Sequence, residues 1–461
     1  MKFIKREEPD MGEKAQGAPS QQSIDNLCGA IRIRTVSHED KSKVDESQFE
    51  AFVDFLSETY PLVHEKLKRE VISDYSLFYT WEGSDPGMKP ALLTAHMDVV
   101  PIAEGTLDDW TQPPFDGVVA DGYIWGRGTM DCKVFLIGIL EAAEELLSKG
   151  YSPVRTICFG FGQDEEVGGW SGAKTIAETL KERGMEFEYV LDEGGFLLEA
   201  GEIGIKKALA TVGIAEKGYL ALELKTETEG GHSSMPPRTT AIGIIARAIN
   251  RLERHPFPSR IETTTQRMIE NLKPELPLPL NLIAGSKMMR GLMKLAFKMN
   301  TATNAMIHTT VASTIMEAGS KENVLPQEAR AVINIRLLPG DSSDYAVARV
   351  KKIIRDKRIK VSVLGNRSEA SIVSRLDSKG YGIVRGTIEE VFAGSVIVPL
   401  MTVGMSDARH YTIVCDSVYR FCPLRIRKED QSRVHGTDER IGVGNFAEVI
   451  SFYRKVIENS N

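Results

Sequence analysis

Short apolar runs alternate with helical stretches over the first 200 or so residues of the chain. Ala91-Leu92-Leu93 leads into Thr94-Ala95-His96-Met97-Asp98, Val154 to Phe161 leads into Gly162-Gln163-Asp164-Glu165-Glu166, and Tyr189-Val190-Leu191 leads into Asp192-Glu193-Gly194-Gly195. Each run is short, continuous and apolar, the pattern of a strand covered on both faces. Between the first two, Leu136, Leu140, Ala143 and Leu147 recur at helical spacing and stop at Gly150, which predicts an amphipathic helix over Lys133 to Ser148. A second helix is predicted from a Ser171 cap through Ile176 and Leu180 to Gly184. Strand and helix in alternation predict an α/β domain, a mixed, largely parallel sheet flanked by helices.

The texture changes after about residue 210. Leu220, Leu222 and Leu224 alternate with Ala221 and Glu223 as a half-buried strand does, and a glycine-flanked loop, Gly230 to Pro237, precedes a helix from Thr240 to Glu253. A proline-rich stretch from Lys273 to Pro279 and the Met-rich segment behind it predict a helical insertion over about 260–306. Strands at Thr309 to Glu317 and Ala329 to Leu338, a helix at Ser343 to Asp356 and a strand at Lys360 to Leu364 complete an α+β domain. From about 370 the α/β texture returns, with helices at Leu376 to Phe392 and Gly444 to Ile457 around a strand at Ser395 to Val403. The predicted organisation is a poorly ordered tail, 1–20, an α/β domain built from 21–210 and 370–461, and an interrupting α+β domain, 211–369.

Charge and composition narrow the function. The 461 residues carry 57 Lys and Arg against 64 Asp and Glu, a formal charge of −7, which argues against a nucleic-acid footprint with its basic face. The five cysteines are odd in number and form no C-x-x-C pair, so neither a disulfide framework nor a thiolate zinc site is expected. No apolar run approaches the roughly 20 residues of a membrane span, and the polar start lacks the apolar core of a signal peptide. A cytoplasmic protein is expected.

In open α/β sheets, sites form outside the carboxyl ends of the strands. The three runs end in His96 and Asp98, in Glu165 and Glu166, and in Asp192 and Glu193, so the predicted sheet gathers these side chains at one edge. Asp131 adds an acid in the turn Gly126-Arg127-Gly128-Thr129-Met130-Asp131. A single strand-end Asp commonly caps a helix or turn. Three consecutive acids behind a buried strand are different, because like charges placed together are costly without a cation. Imidazole and carboxylate donors suit Zn²⁺, with Mn²⁺ or Co²⁺ compatible by donor type. The set exceeds the needs of one ion; two ions about 3.5–4 Å apart would use it and suit metal-assisted hydrolysis.

His96-Met97-Asp98, the Gly126 to Asp131 turn, Asp164-Glu165-Glu166-Val167-Gly168-Gly169, Leu191-Asp192-Glu193-Gly194-Gly195 and His435-Gly436-Thr437-Asp438-Glu439 together resemble the M20 family of di-zinc metallopeptidases, from about residue 23 onward. Pro113-Pro114-Phe115-Asp116-Gly117 and Gly231-His232-Ser233-Ser234 are similar to its branch of Gly-X carboxypeptidases and N-acyl-amino-acid hydrolases, related to aminoacylases. The resemblance implies two Zn²⁺ per subunit. Asp131 bridges them, His96 and Asp192 complete one site, and Glu166 and His435 the other, with Glu193 as the alternative to Asp192. Asp98 is the implied orienting partner of the His96 ring. Glu165 is the implied general base, moving a proton from the attacking water to the leaving amine. A cis peptide is implied before Cys132.

The resemblance also makes the interrupting domain a lid and dimerisation domain and implies a homodimer through it. His232 matches an imidazole, often from the partner subunit, that stabilises the oxyanion. Arg336 resembles an arginine that holds a substrate carboxylate in its planar fork. Asn304 and Arg409 are further candidates for the substrate pocket. The implied reaction is hydrolysis of the amide bond of an N-acyl amino acid or short peptide, releasing a free amino acid. A dipeptidase or another aminoacylase is the alternative within the class, and the flexible thioethers of the Met-rich insertion suit an apolar acyl chain. A non-catalytic binding protein on the same scaffold is the alternative outside it.

Overall fold

The computed structural model describes residues 18–201, 204–276, 278, 281 and 290–461. Residues 1–17 of the expected disordered tail lie outside these, as do 277, 279–280 and 282–289 of the Met-rich insertion. The chain divides into two compact units, one built from residues through Gly213, Ser374–Val398 and Ser406–Asn461, the other from Ile214–Val373 and Pro399–Met405.

The first unit is built on a mixed sheet of ten strands, two of which, Leu209–Glu216 and Val396–Thr402, run on into residues of the second. Its centre is parallel, in the order Ile157–Gly162, Ala91–His96, Tyr189–Asp192 and Val418–Arg420. Ala91–His96 has a later strand on each side, which makes its carboxyl end a topological switch point, where α/β sheets open a crevice. Register decides what lies there: His96 stands opposite Gly162 and Leu93 opposite Leu191, so the three acid-bearing runs end together.

Two helices depart from the pattern read from the sequence. Lys133–Ser148 is buried nearly all round, Phe135, Ile137 and Ile139 included, because it lies against Ala91–His96 and three other helices, Gln21–Arg32, Pro61–Lys66 and Val443–Asn459. Gly138 allows the last of these crossings, since a Cβ there would come within 2.6 Å of Val449 Cγ1. The following helix starts at Ala173, and Ser171 does not cap it. Asp164 does so from the strand end, its two oxygens accepting the N–H groups of Ser171 and Gly172, each at 2.8 Å.

The second unit holds a four-stranded antiparallel sheet ordered Thr310–Ala318, Glu328–Leu337, Gly218–Glu227 and Ile359–Ser368. Helices Ala241–Arg254 and Ser343–Ile354 cover it. Leu220, Leu222 and Leu224 alternate inward and meet Ile244, Ile245, Ile333, Ile335 and Val350 in one apolar core, each buried leucine being worth about 1.5–3 kcal/mol. Short helices at Thr263–Leu272, Arg290–Lys298 and Thr301–Ala305 make up the described part of the insertion.

Candidate metal centre

His96 is the last residue of its strand and is only 1% exposed. Its Nδ1 lies 3.0 Å from the carbonyl oxygen of Asp98 and 3.2 Å from Asp98 Oδ1, so Nδ1 carries a proton, and on a neutral ring Nε2 would be the atom left to ligate a cation. Asp98, fully buried, does more than orient this ring. Its oxygens also accept the N–H groups of Glu165 at 3.1 Å and Glu166 at 3.2 Å and the Ser37 hydroxyl at 2.6 Å, tying two strand ends to one carboxylate.

Asp131 lies between two imidazoles. Oδ1 is 3.0 Å from His96 Nε2 and Oδ2 is 3.0 Å from His435 Nε2. The peptide between Asp131 and Cys132 is cis. Glu166 Oε2 lies 3.1 Å from the same His435 nitrogen, while Glu166 Oε1 is buried with no hydrogen-bond partner among the described residues. Of the two acids at the end of the third strand, Glu193 faces the cluster, with Oε1 3.4 Å from His96 Nε2. Asp192 is turned away: it accepts the Thr94 hydroxyl at 2.8 Å and the Ala408 N–H at 2.6 Å, structural bonds that occupy both oxygens. Of the two expected alternatives, Glu193 is the acid that the structure sets beside His96. Cys132 Sγ also lies within 4.8 Å of ligand atoms of His96 and Glu193.

The electrostatics of this cluster fit a cation. Burial and the neighbouring Asp131 raise Glu166 to about 7 and Glu193 to about 8. Hydrogen bonds to Asp131 and Glu166 raise His435 to about 10. Burial works against a charged Asp131, yet the hydrogen bonds of His435 and His96 hold its carboxyl well below the usual range. Acids that resist ionisation beside one another, an acceptor left without a donor, and His, Asp and Glu ligand atoms within 4.8 Å of one another all suit a divalent ion. Glu165 follows the same strand end on a short 3₁₀ turn, Glu165–Val167. Burial raises its carboxyl well above the ordinary value, with Glu193, Asp407 and Glu166 adding and His96 opposing.

Arg409, a candidate for the substrate pocket, is buried in the first unit and donates from its guanidinium to the carbonyls of Ser406 and of Gly168, two residues past Glu166. His232, Arg336 and Asn304 belong to the second unit. His232 is exposed on the strand pair Gly231–His232 and Val324–Leu325, and its Nδ1 accepts the Ser234 N–H at 3.1 Å, which puts the proton of the neutral ring on Nε2. Arg336 lies over the Tyr219 ring at 5.0 Å and donates from Nε to Asn334 Oδ1 at 3.2 Å. Asn304 accepts His308 Nδ1 on its backbone carbonyl at 2.7 Å. Sequence reasoning missed the structural roles of Asp164, Arg127 and Glu439; for Glu439 the available signal was its place four residues after His435 in the same motif.

Comparison with known proteins agrees with this geometry. Residues 92–459 match the model of Peptidase family M20/M25/M40. "Probable carboxypeptidase S-like 2" of Dictyostelium discoideum is 40% identical over 439 residues, 94% of this chain and 84% of the relative. "N-fatty-acyl-amino acid synthase/hydrolase PM20D1" of Homo sapiens is 36% identical over 469 residues, 98% of this chain and 92% of the relative. Among solved structures, the M20 family metallo-carboxypeptidase Sso-CP2 from Sulfolobus solfataricus superposes with a TM-score of 0.71 at 17% identity, covering 95% of this chain and 99% of that one. A parallel-centred sheet ending in imidazoles and carboxylates, and matches over nearly the whole length, lead to one conclusion: the chain belongs to the M20/M25/M40 peptidase family, enzymes that use divalent metal to hydrolyse amide bonds.

Proposed function

We propose that the chain hydrolyses the amide bond of N-acyl amino acids or short peptides and releases a free amino acid, using two Zn²⁺ per subunit, with Mn²⁺ or Co²⁺ compatible by donor type. The observation that carries this is Asp131, whose two oxygens face two different imidazoles, each at 3.0 Å, so that one carboxylate can serve two cation positions. His96 and Glu193 flank the first position, and Glu166 and His435 the second. Ions held by these residues would supply Lewis-acid polarisation of a carbonyl and a lowered pKa for water. Glu165 receives the proton of the attacking water and delivers it to the departing amine, a task suited to a carboxyl whose affinity for protons is raised. His232 donates from Nε2 to the developing oxyanion, and Arg336 holds the free carboxylate of the substrate. The names of relatives, N-fatty-acyl-amino acid synthase/hydrolase and carboxypeptidase S, support this substrate class.

A homodimer through the second unit is part of the same proposal. It is supported by Thr310–Ala318, an outermost strand with seven of nine residues exposed, Ile315 and Met316 among them. No helix among the described residues is long and apolar enough to cross a membrane. A cytoplasmic setting is proposed on the five cysteines, all unpaired.

The test is an amino-acid release assay over long-chain and short-chain N-acyl amino acids, dipeptides and the matching acyl amides that lack a carboxylate. Release should require Zn²⁺, Mn²⁺ or Co²⁺, stop with a chelator and fall sharply for the amides. A chain that binds its ions and releases nothing from any of them would instead be a binding protein on this scaffold.

A further inference from the structure

Glu439 is fully buried, and one oxygen, Oε1, accepts three backbone N–H groups of the glycine-rich turn, from Gly128 at 2.9 Å, Met130 at 2.7 Å and Asp131 at 3.2 Å. Its other oxygen pairs with Arg127 Nη1 at 2.5 Å. Arg127 is itself 2% exposed, lies over the Trp110 ring at 5.4 Å, and sends Nη2 to the carbonyls of His435 at 3.3 Å and Gly436 at 3.1 Å. The backbone continues the link: Gly126 donates to the Glu439 carbonyl at 2.9 Å, and Arg440–Gly442 pairs with Tyr123–Trp125.

These two side chains make no bond to a ligand atom, yet together they grip the backbone on both sides of the Asp131 to His435 contact. His435 stands at φ +61°, a left-handed conformation that a non-glycine residue adopts when its surroundings impose it. The bonds from Arg127 to the carbonyls of residues 435 and 436 are such a constraint.

We infer that Arg127 and Glu439 are positioning residues, a charge clamp that holds the His435 backbone up to the turn carrying Asp131 and thereby sets the affinity of the second cation position, the one of the two that uses His435. The inference rests on the two-ion assignment above. A clamp acts selectively, whereas a pair that only stabilises the fold would weaken both positions together.

Equilibrium dialysis of the full chain against Zn²⁺, run beside thermal unfolding, separates the two. Glu439→Gln keeps an acceptor for the turn but removes the charge facing Arg127; Arg127→Lys keeps the charge but loses the fork that reaches residues 435 and 436. Wild type should take up two ions. Both variants should hold one with unchanged affinity and bind the second at least tenfold more weakly, with kcat recovering as Zn²⁺ is raised. Two ions held at wild-type affinity in the variants would overturn the clamp, as would equal weakening of both positions accompanied by lost thermal stability. A wild-type chain that takes up a single ion would overturn the two-ion assignment instead. Should Glu439→Gln fail to fold, Arg127→Lys decides by the same outcomes.

Discussion

His96 in the first unit is buried and engaged on both ring nitrogens, by Asp98 on one side and Asp131 on the other, whereas His232 in the second unit is exposed and held through one nitrogen by Ser234. The contrast follows from what each proposed task requires. Gathering carboxylates around a cation means holding like charges together against repulsion, so each must be fixed by partners that cannot move, and Asp98 alone fixes three of the group. Donating one hydrogen bond to an oxyanion requires a ring in the correct tautomer, and a single backbone N–H sets that. Loss of the shared ligand Asp131 should therefore collapse function, and loss of His232 should lower it by degrees.

The sharpest way to break this contrast is Asp131→Ala. With the shared carboxylate gone, both cation positions lose a ligand, and hydrolysis should fall to the background of the assay, a loss beyond about 10⁴-fold. Ion content measured on the purified variant should fall with it. If the variant retained two ions and measurable turnover, the ligand cluster would not be the cooperative object described. Glu165→Gln comes next, with a loss in kcat of about 10²–10⁴-fold but unchanged ion content. That split distinguishes a proton carrier from a ligand among adjacent acids on one strand end.

His232→Ala probes the other side. Its expected cost is about 10²–10³-fold in kcat, the range for removing one oxyanion donor, with ion content and thermal stability as in wild type. An effect confined to KM, or a loss of bound metal, would show that His232 does something other than donate to a transition state.

How much of this was legible in the sequence depends on how local each cause is. Fully buried parallel strands read as unbroken apolar runs, so the sheet centre and the acids at its edge stand out in the chain. The burial of Lys133–Ser148 on all sides does not, because it is decided by helices that arrive from both ends of the chain. Nor does the cap of the helix starting at Ala173: Ser171 is the nearest polar residue, but the Asp164 carboxylate reaches it from the strand end. Arg127 and Glu439 meet only through long-range folding, and nothing near either residue in sequence announces the other.

Asp192 and Glu193 show the limit most clearly, and they define the smallest predicted effect. Neighbours at a strand end point to opposite sides, but Tyr189, Val190, Leu191 and Asp192 are all buried, so no alternation of apolar and polar positions reveals which side faces the site. The structure separates them by partners: Glu193 lies beside His96, and Asp192 accepts from Thr94 and Ala408. Asp192→Asn can keep the Ala408 N–H on its oxygen and donate its amide to the Thr94 hydroxyl, which can turn to the Leu191 carbonyl, so only the charge on these bonds is lost, a cost of about 1 kcal/mol in unfolding free energy. Ion content should stay at the wild-type value and kcat should change by no more than about threefold, since less than 0.7 kcal/mol of the loss would reach the transition state. Glu193→Gln should do the reverse, leaving stability nearly intact while weakening the first ion. Should Asp192→Asn shed that ion and Glu193→Gln keep it, the assignment of the two acids would have to be exchanged, and Asp192 would move from the residues that hold the cluster in place to those that form it.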